Sequence, residues 1–284
     1  MSVTDGGAGV ERARSAPEGP AYPLFWFFAA IAATAALSVF LGLTGRLPLW
    51  AAGALNVIAL YLAAHINHEA VHSNLNGSDA KLKWLNEAIG HFGSFWLFLP
   101  LPAFRAVHLA HHRLTNHKEL DGDMWMAGKH PVDVFLRCST LLWGYEIRLH
   151  RLARKKLIEP RVVRAVIVQR LLAIALIVVA FLAGYGLEIM ALWVIPALVT
   201  MPILAYMFAY VVHHPHDSEE RYRSARVIRA RGRLGETLGA VFVGQNYHLI
   251  HHLHPRVPFY RYAKLYRSME GELRARGATI LELN

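Results

Sequence analysis

Four long apolar runs, residues 22–42, 47–65, 166–183 and 189–212, constrain this chain more than any other feature, because they hold almost no charge. About 20 such residues in a helix cross the hydrocarbon of a bilayer. No water is available there to satisfy backbone N–H and C=O groups, so a crossing segment must be a helix or part of a closed barrel. Runs this long, with no alternation of polar and apolar residues, read as helices. Composition agrees, with 55% hydrophobic and 18% charged residues. The expected fold is therefore an all-α membrane protein with four transmembrane helices. Trp26, Trp50 and Trp193 are candidates for the interfacial belt, with Trp193 equally able to face the interior.

Between the second and third runs, residues 89–101 (IGHFGSFWLFLPL) are apolar but short and interrupted by Gly and Pro. They read as a re-entrant or interfacial segment, which requires protein to cover its irregular backbone. Residues 1–21 read as a disordered tail rather than a cleaved signal, since the run that follows is too long for a signal core. Residues 22–284 read as one membrane domain. The stretch 260–283 alternates aromatic and charged positions, which suggests a helix laid on the polar face and then a short strand-like or irregular end.

The chain carries 30 Lys and Arg against 20 Asp and Glu, a formal charge of +10. No nucleic-acid motif accompanies this excess, so nucleic acid is not expected as a partner. In a membrane protein it marks loops retained in the cytoplasm. With a cytoplasmic amino terminus, the two turns on the far side contribute only Arg46, and every histidine-rich stretch shares the arginine-rich face. The expectation is a multi-pass protein of a bacterial inner membrane with both termini and the histidines cytoplasmic. The single Cys138 excludes an intrachain disulfide, a CxxC pair and a four-cysteine iron–sulfur site.

Histidine is concentrated in three places. HINHEAVH supplies His65, His68 and His72; HLAHHRLTNH supplies His108, His111, His112 and His117; HLIHH supplies His248, His251 and His252. On a helix, residues three and four apart share a face, so each cluster can aim two or three rings at one point. A catalytic zinc takes about three protein ligands, which leaves most of this set unused, whereas two metals account for it. Imidazole suits Fe, Zn, Cu and Ni alike. His91, His130 and His150 lie outside the clusters and read as ordinary histidines. His68-Glu69-Ala70-Val71-His72 also matches HExxH, the zinc protease motif, but that leaves the other clusters unexplained, so Glu69 reads as a neighbour of the metals. A metal transporter would need ionisable groups along the spans, where Gln169 is the nearest case.

Three boxes of the forms HxxxH, HxxHH and HxxHH on a four-span chain resemble the membrane fatty acid desaturase and hydroxylase superfamily, which includes carotenoid hydroxylases. The likeness runs from about residue 22 to 266 and is most specific in NYHLIHHLHPRVPFYRY, residues 246–262. The resemblance implies a cytoplasmic helical cap holding a di-metal site, with His68, His72, His108, His111, His112, His248, His251 and His252 as ligands. It also implies a further ligand after the fourth span, in VVHHPHD, where His213, His214 and His216 stand, with His214 the favoured position and His213 an additional one. His65, Asn67 and Asn246 are further candidates for direct or water-mediated ligation. The acyl-CoA desaturase type has an asparagine about four residues before that histidine; this chain has Ala209 or Tyr210 there.

The implied cofactors are two non-haem irons, with O₂ as co-substrate and two electrons per turnover. No catalytic residue beyond the ligands is implied. Asp121, Asp123, Asp217 and Asn116 are candidates to orient the imidazoles. No flavin or nicotinamide fingerprint is present, so electrons come from a separate protein such as a ferredoxin with its reductase. Arg148, Arg151, Arg154, Lys155 and Lys156, with the run 221–233, are the candidate docking surface. The implied reaction desaturates or hydroxylates an unactivated C–H position of a membrane lipid, a fatty acyl chain first and a carotenoid β-ring as the alternative.

Overall fold

Proline marks where the long helices begin. The computed structural model describes residues 19–283. In it α1 (Tyr22–Leu43) carries Pro23 in its first turn, α2 (Leu49–Val71) follows Pro48, and α7 (Pro160–Leu182) starts on its own proline. The missing proline N–H costs nothing at a helix start. With α8 (Gly186–Val211), these are the four helices long and apolar enough to cross a membrane among the described residues. Beyond the apolar runs, α2 extends six residues past His65, as the shared face of its histidines requires, and α7 begins six residues before Val166. Hydropathy sees only the apolar centre of a helix, whereas hydrogen bonding carries the helix beyond it.

Most of the expected tail, residues 1–18, lies outside the described residues. Ala21, by contrast, is buried, and its N–H donates to Leu75 O at 2.9 Å, so the ordered chain is anchored just before α1.

α8 is interrupted by wide π turns at Met190–Val194 and Tyr206–Val211 and contains Pro196 and Pro202. Pro196 cannot donate to the carbonyl four residues earlier, Leu192 O. That carbonyl instead accepts from Asn56 Nδ2 of α2 at 2.8 Å. The two helices approach closely at Gly53, where a Cβ would stand 2.5 Å from Ala191 O.

The 89–101 segment forms a covered hairpin: α3 (Lys83–Trp96) turns at Leu97–Pro100 into α4 (Leu101–Arg113). Trp193 of α8 caps its tip, 2% exposed, stacked on Phe98 and donating Nε1–H to Trp96 O at 2.8 Å. It thus faces the interior, while Trp26 and Trp50 are exposed. Two amphipathic helices, α5 (Pro131–Ser139) and α6 (Leu141–Arg154), follow.

Beyond α8 the chain builds a cap from β1 (Val227–Ala230), α9 (Gly232–Val241), α10 (His248–Leu253), α11 (Tyr262–Ala275) and β2 (Ile280–Leu283). β2 pairs in parallel with β1, Val227 opposite Ile280. One stripe of α11, Tyr262, Leu265, Tyr266, Met269 and Leu273, packs on Leu249, Ile250 and Leu253 of α10. This core presses the third histidine box against the ends of α2 and α4.

Candidate metal centre

The imidazoles converge as two groups. His68, His72, His108, His112 and His251 form one; His111, His213, His248 and His252 form the other; within each, the ligand atoms lie within 4.8 Å of one another. Each HxxHH box is divided between them. On α4, His108 and His112 serve the first group and His111 the second; on α10, His248 and His252 serve the second and His251 the first. A helix turn explains this, because i and i+4 point together while i+3 is displaced to the side.

Within the first group, Nε2 of His108 lies 3.0 Å from Nε2 of both His72 and His112, and His251 Nε2 lies 2.8 Å from His112 Nε2. In the second, His252 Nε2 is 3.2 Å from Nε2 of both His111 and His248. Nitrogens bound to one ion at about 2.0–2.1 Å stand roughly 3 Å apart across the common coordination angles, so the spacing suits a shared ion.

Tautomers are set from outside. His111 donates Nδ1–H to Asp121 Oδ1 at 2.7 Å, His213 to Ser224 O at 2.9 Å and His248 to Gln245 Oε1 at 2.9 Å. Thr115 Oγ1 gives its own proton to His111 O and faces His252 Nδ1 at 3.4 Å. Each ring of the second group therefore turns its Nε2 inward. Nε2 of His213 and of His68 are buried with no protein partner. Orphaned lone pairs converging in this way fit metal ions, and nine imidazoles in two groups exceed the needs of one zinc.

Burial holds the rings neutral. It pushes His72 down to about 3 and places His108, His112, His213, His248, His251 and His252 well below the ordinary histidine value, with neighbouring imidazoles adding to the effect. His111 differs: burial opposes its proton, but the Asp121 and Asp123 carboxylates outweigh it and hold the ring up at about 9. Burial works against ionised Asp121 too, yet His111 and nearby N–H donors keep it below the usual range. Burial pushes Asp123 up to about 6.

The structure corrects several sequence assignments. His214 is exposed and belongs to neither group, while His213 is 2% exposed and joins the second. The adjacent histidines leave the register open in the sequence, and the end of α8 turns His213 inward and His214 outward. Asp217 is exposed, with its charge acting on His214 rather than on a clustered ring. His65 donates to Tyr61 O and packs edge-on against Phe208, outside both groups. Asn246 is also outside, its Nδ2 tied to Ile228 O at 3.0 Å. Arg148 is buried, bonded to Asp121 O at 2.9 Å and Lys118 O at 3.1 Å, so it braces the acidic loop instead of offering a surface; Arg154, Lys155 and Lys156 are exposed.

Asp121 Oδ2 accepts from Asn116 N at 2.6 Å, and Asn116 Nδ2 reaches Ser218 O and Ser224 O, which joins the loop after α4 to the segment that orients His213. Asp123 lies 3.7 Å from His111 Nε2 and accepts from Tyr145 OH at 2.8 Å. Glu69 Oε2 accepts from Asn74 at 2.9 Å, and its HExxH partners belong to the five-imidazole group, which does not suit a lone protease zinc. Gln245 and Tyr262 escaped the sequence reading. Gln245 orients His248, and Tyr262 OH sits 2.8 Å from His251 Nδ1. Tyr262 lies within residues 246–262, the most motif-like stretch of the chain, and Gln245 directly precedes it, which was the available signal.

Below the histidines lies a cavity of about 100 Å³, where His68, His108 and His248 meet apolar Leu97, Phe104, Met201 and Phe208. The imidazole groups thus open on a largely apolar cavity.

A family model described as fatty acid desaturase matches residues 44–284. None of the curated proteins compared with the chain matches it. With four membrane-length helices, two convergent imidazole groups and a match across most of its length, the chain belongs to the fatty acid desaturase family of membrane desaturase- and hydroxylase-type oxidoreductases.

Proposed function

We propose that this protein is an O₂-dependent oxidoreductase that desaturates or hydroxylates an unactivated C–H position of a membrane lipid, a fatty acyl chain foremost, at two non-haem irons. The observation that carries this reading is the division of nine imidazoles into two groups facing one apolar cavity. His68, His72, His108, His112 and His251 would hold one iron, and His111, His213, His248 and His252 the other. The irons supply oxygen activation and single-electron chemistry that no side chain can provide.

The chain's own residues orient and exclude. Asp121, Gln245, Thr115 and the Ser224 carbonyl keep the second group's lone pairs inward. Leu97, Phe104, Met201 and Phe208 shed water and steer an extended hydrocarbon toward the histidines. Electrons come from a separate acidic carrier such as ferredoxin, for which Arg151, Arg154, Lys155 and Lys156 are the docking face. Positive charge on that face supports a cytoplasmic orientation.

Elemental mass spectrometry on detergent-purified protein tests the metals, and product analysis of lipid extracts after supply of ferredoxin, its reductase and O₂ tests the reaction. The expected result is two irons per chain with unsaturated or hydroxylated acyl chains. Oxygenated carotenoid rings with unchanged acyl chains would replace the acyl substrate by the alternative. One zinc per chain and no oxidised lipid would overturn the reading.

A further inference from the structure

The cavity contains polar groups that the metal ligation does not use. Asn67, 2% exposed, and Ser94, 1% exposed, both line it. Neither amide atom of Asn67 nor the hydroxyl of Ser94 has a protein partner. Buried polar side chains in native proteins are nearly always paired, so three unpaired atoms in one small cavity point to a ligand that pairs them.

Their placement is built in. A Cβ at residue 93 would run into the Asn67 side chain, so Gly93 is what lets the amide from α2 lie across α3, one residue from Ser94. The surrounding wall is apolar, with Leu97, Leu99 and Phe104 close by. Asn67 precedes His68 on α2, and its amide lies against Gly93 of α3.

An unsubstituted hydrocarbon offers these atoms nothing. An oxygen function does: the Asn67 N–H and the Ser94 hydroxyl can donate to it, and Asn67 Oδ1 can accept from it if it is a hydroxyl. The same cavity of about 100 Å³ is lined by His68, His108 and His248, so an oxygen held at Asn67 lies only a few bonds from the carbon at the histidines. We propose that the lipid bound here carries a hydroxyl or carbonyl oxygen close to the carbon that is oxidised, and that Asn67 and Ser94 hold that oxygen. The inference rests on the lipid-oxidising reading of the site. For an acyl lipid it places reaction near the oxygenated end rather than in mid-chain; for a terpenoid ring it requires an oxygen on or beside the ring.

The test measures binding without turnover. Full-length, metal-loaded protein in detergent is titrated with n-dodecane, 1-dodecanol or 2-dodecanone at equal micellar mole fraction, with the shift in unfolding midpoint as readout. Wild type, Asn67→Leu and Ser94→Ala are compared, with metal content measured on each sample. The expected result is a preference of about tenfold or more for the oxygenated probes in wild type, because a site built to pair an oxygen rejects the analogue lacking it. That preference should collapse in Asn67→Leu and weaken in Ser94→Ala. If Asn67→Leu fails to fold or loses metal, Ser94→Ala, which removes one hydroxyl and touches no histidine, carries the comparison. Equal binding of alkane and alcohol in wild type, or a preference that survives both substitutions, overturns the inference. Two irons and oxidised lipid without any probe preference would remove this inference alone, whereas a zinc protein that keeps the preference would remove the oxidase reading and retain the oxygen site.

Discussion

His111 Nδ1 donates to Asp121 Oδ1 at 2.7 Å, with the imidazole 1% and the carboxylate 0% exposed. This contact fixes which nitrogen of His111 faces the clustered imidazoles and makes it a stronger donor. Asp121→Asn keeps the size but removes the charge. Losses of this kind typically cost about 10–100-fold in metal affinity or activity. The expected outcome is depletion of one of the two metals and a fall in lipid oxidation of that order, checked by metal stoichiometry on membranes and purified protein. Full metal content with normal turnover would show that Asp121 has no such role.

His213 and His214 are adjacent but should behave differently. His213→Ala removes a buried member of the four-imidazole group and should lose activity together with one metal. His214→Ala alters an exposed ring and should retain both. Iron per chain and product yield on the two variants side by side decide the matter, and the reverse pattern would return the ligand to the sequence assignment.

The metal-free protein should be acid-sensitive. His72 is held at about 3 in the folded chain against 6.5 as its ordinary value, and His108, His112, His248, His251 and His252 are shifted the same way. Below pH 6.5 the unfolded chain binds protons that the folded chain refuses, so stability falls as pH drops from 6.5 toward 3. Each ring contributes about 1.4 kcal/mol per pH unit while it is in that window. His111 has the opposite sign: raised to about 9, its contribution is complete below 6.5 and is lost as pH rises through 9. Chelator-treated protein should therefore unfold at its highest temperature near neutral pH, with a steep decline on the acid side. A flat midpoint between pH 7 and 5 would contradict burial of neutral rings.

Asn56 is a test of the fold alone. Its Nδ2 satisfies Leu192 O, the carbonyl that Pro196 cannot serve. Asn56→Leu should lower stability by about 0.6–2 kcal/mol, the range for hydrogen bonds between membrane helices. Thermal unfolding in detergent measures this, and metal content should remain unchanged because Asn56 stands about 18 Å along α2 from His68, the first clustered histidine on that helix.

Much of this architecture was legible along the chain because its causes are local. Apolar runs of membrane length must become helices, and Gly and Pro within residues 89–101 mark a break that the structure realises as the α3–α4 hairpin. Histidines three and four apart on a helix share a face whatever surrounds them, so eight of the nine clustered imidazoles were nameable from spacing and resemblance. The match over residues 44–284 agrees with that family likeness.

Tertiary structure decided what depends on register and on partners distant in sequence. Where α8 ends, His213 is buried among the clustered rings and its neighbour His214 is exposed, a difference that adjacent positions in a sequence do not reveal. Arg148 resembled a surface cation until its guanidinium was found bonded to the carbonyls of Asp121 and Lys118. Ser94 is unremarkable in sequence and Asn67 stands there only as a candidate ligand; their joint role emerges when α2 and α3, meeting at Gly93, enclose them in an apolar cavity. The sequence determined the helices and the supply of imidazoles, since both follow from short-range chemistry. Only packing determined how those imidazoles divide, what orients them and which polar atoms are left facing the substrate.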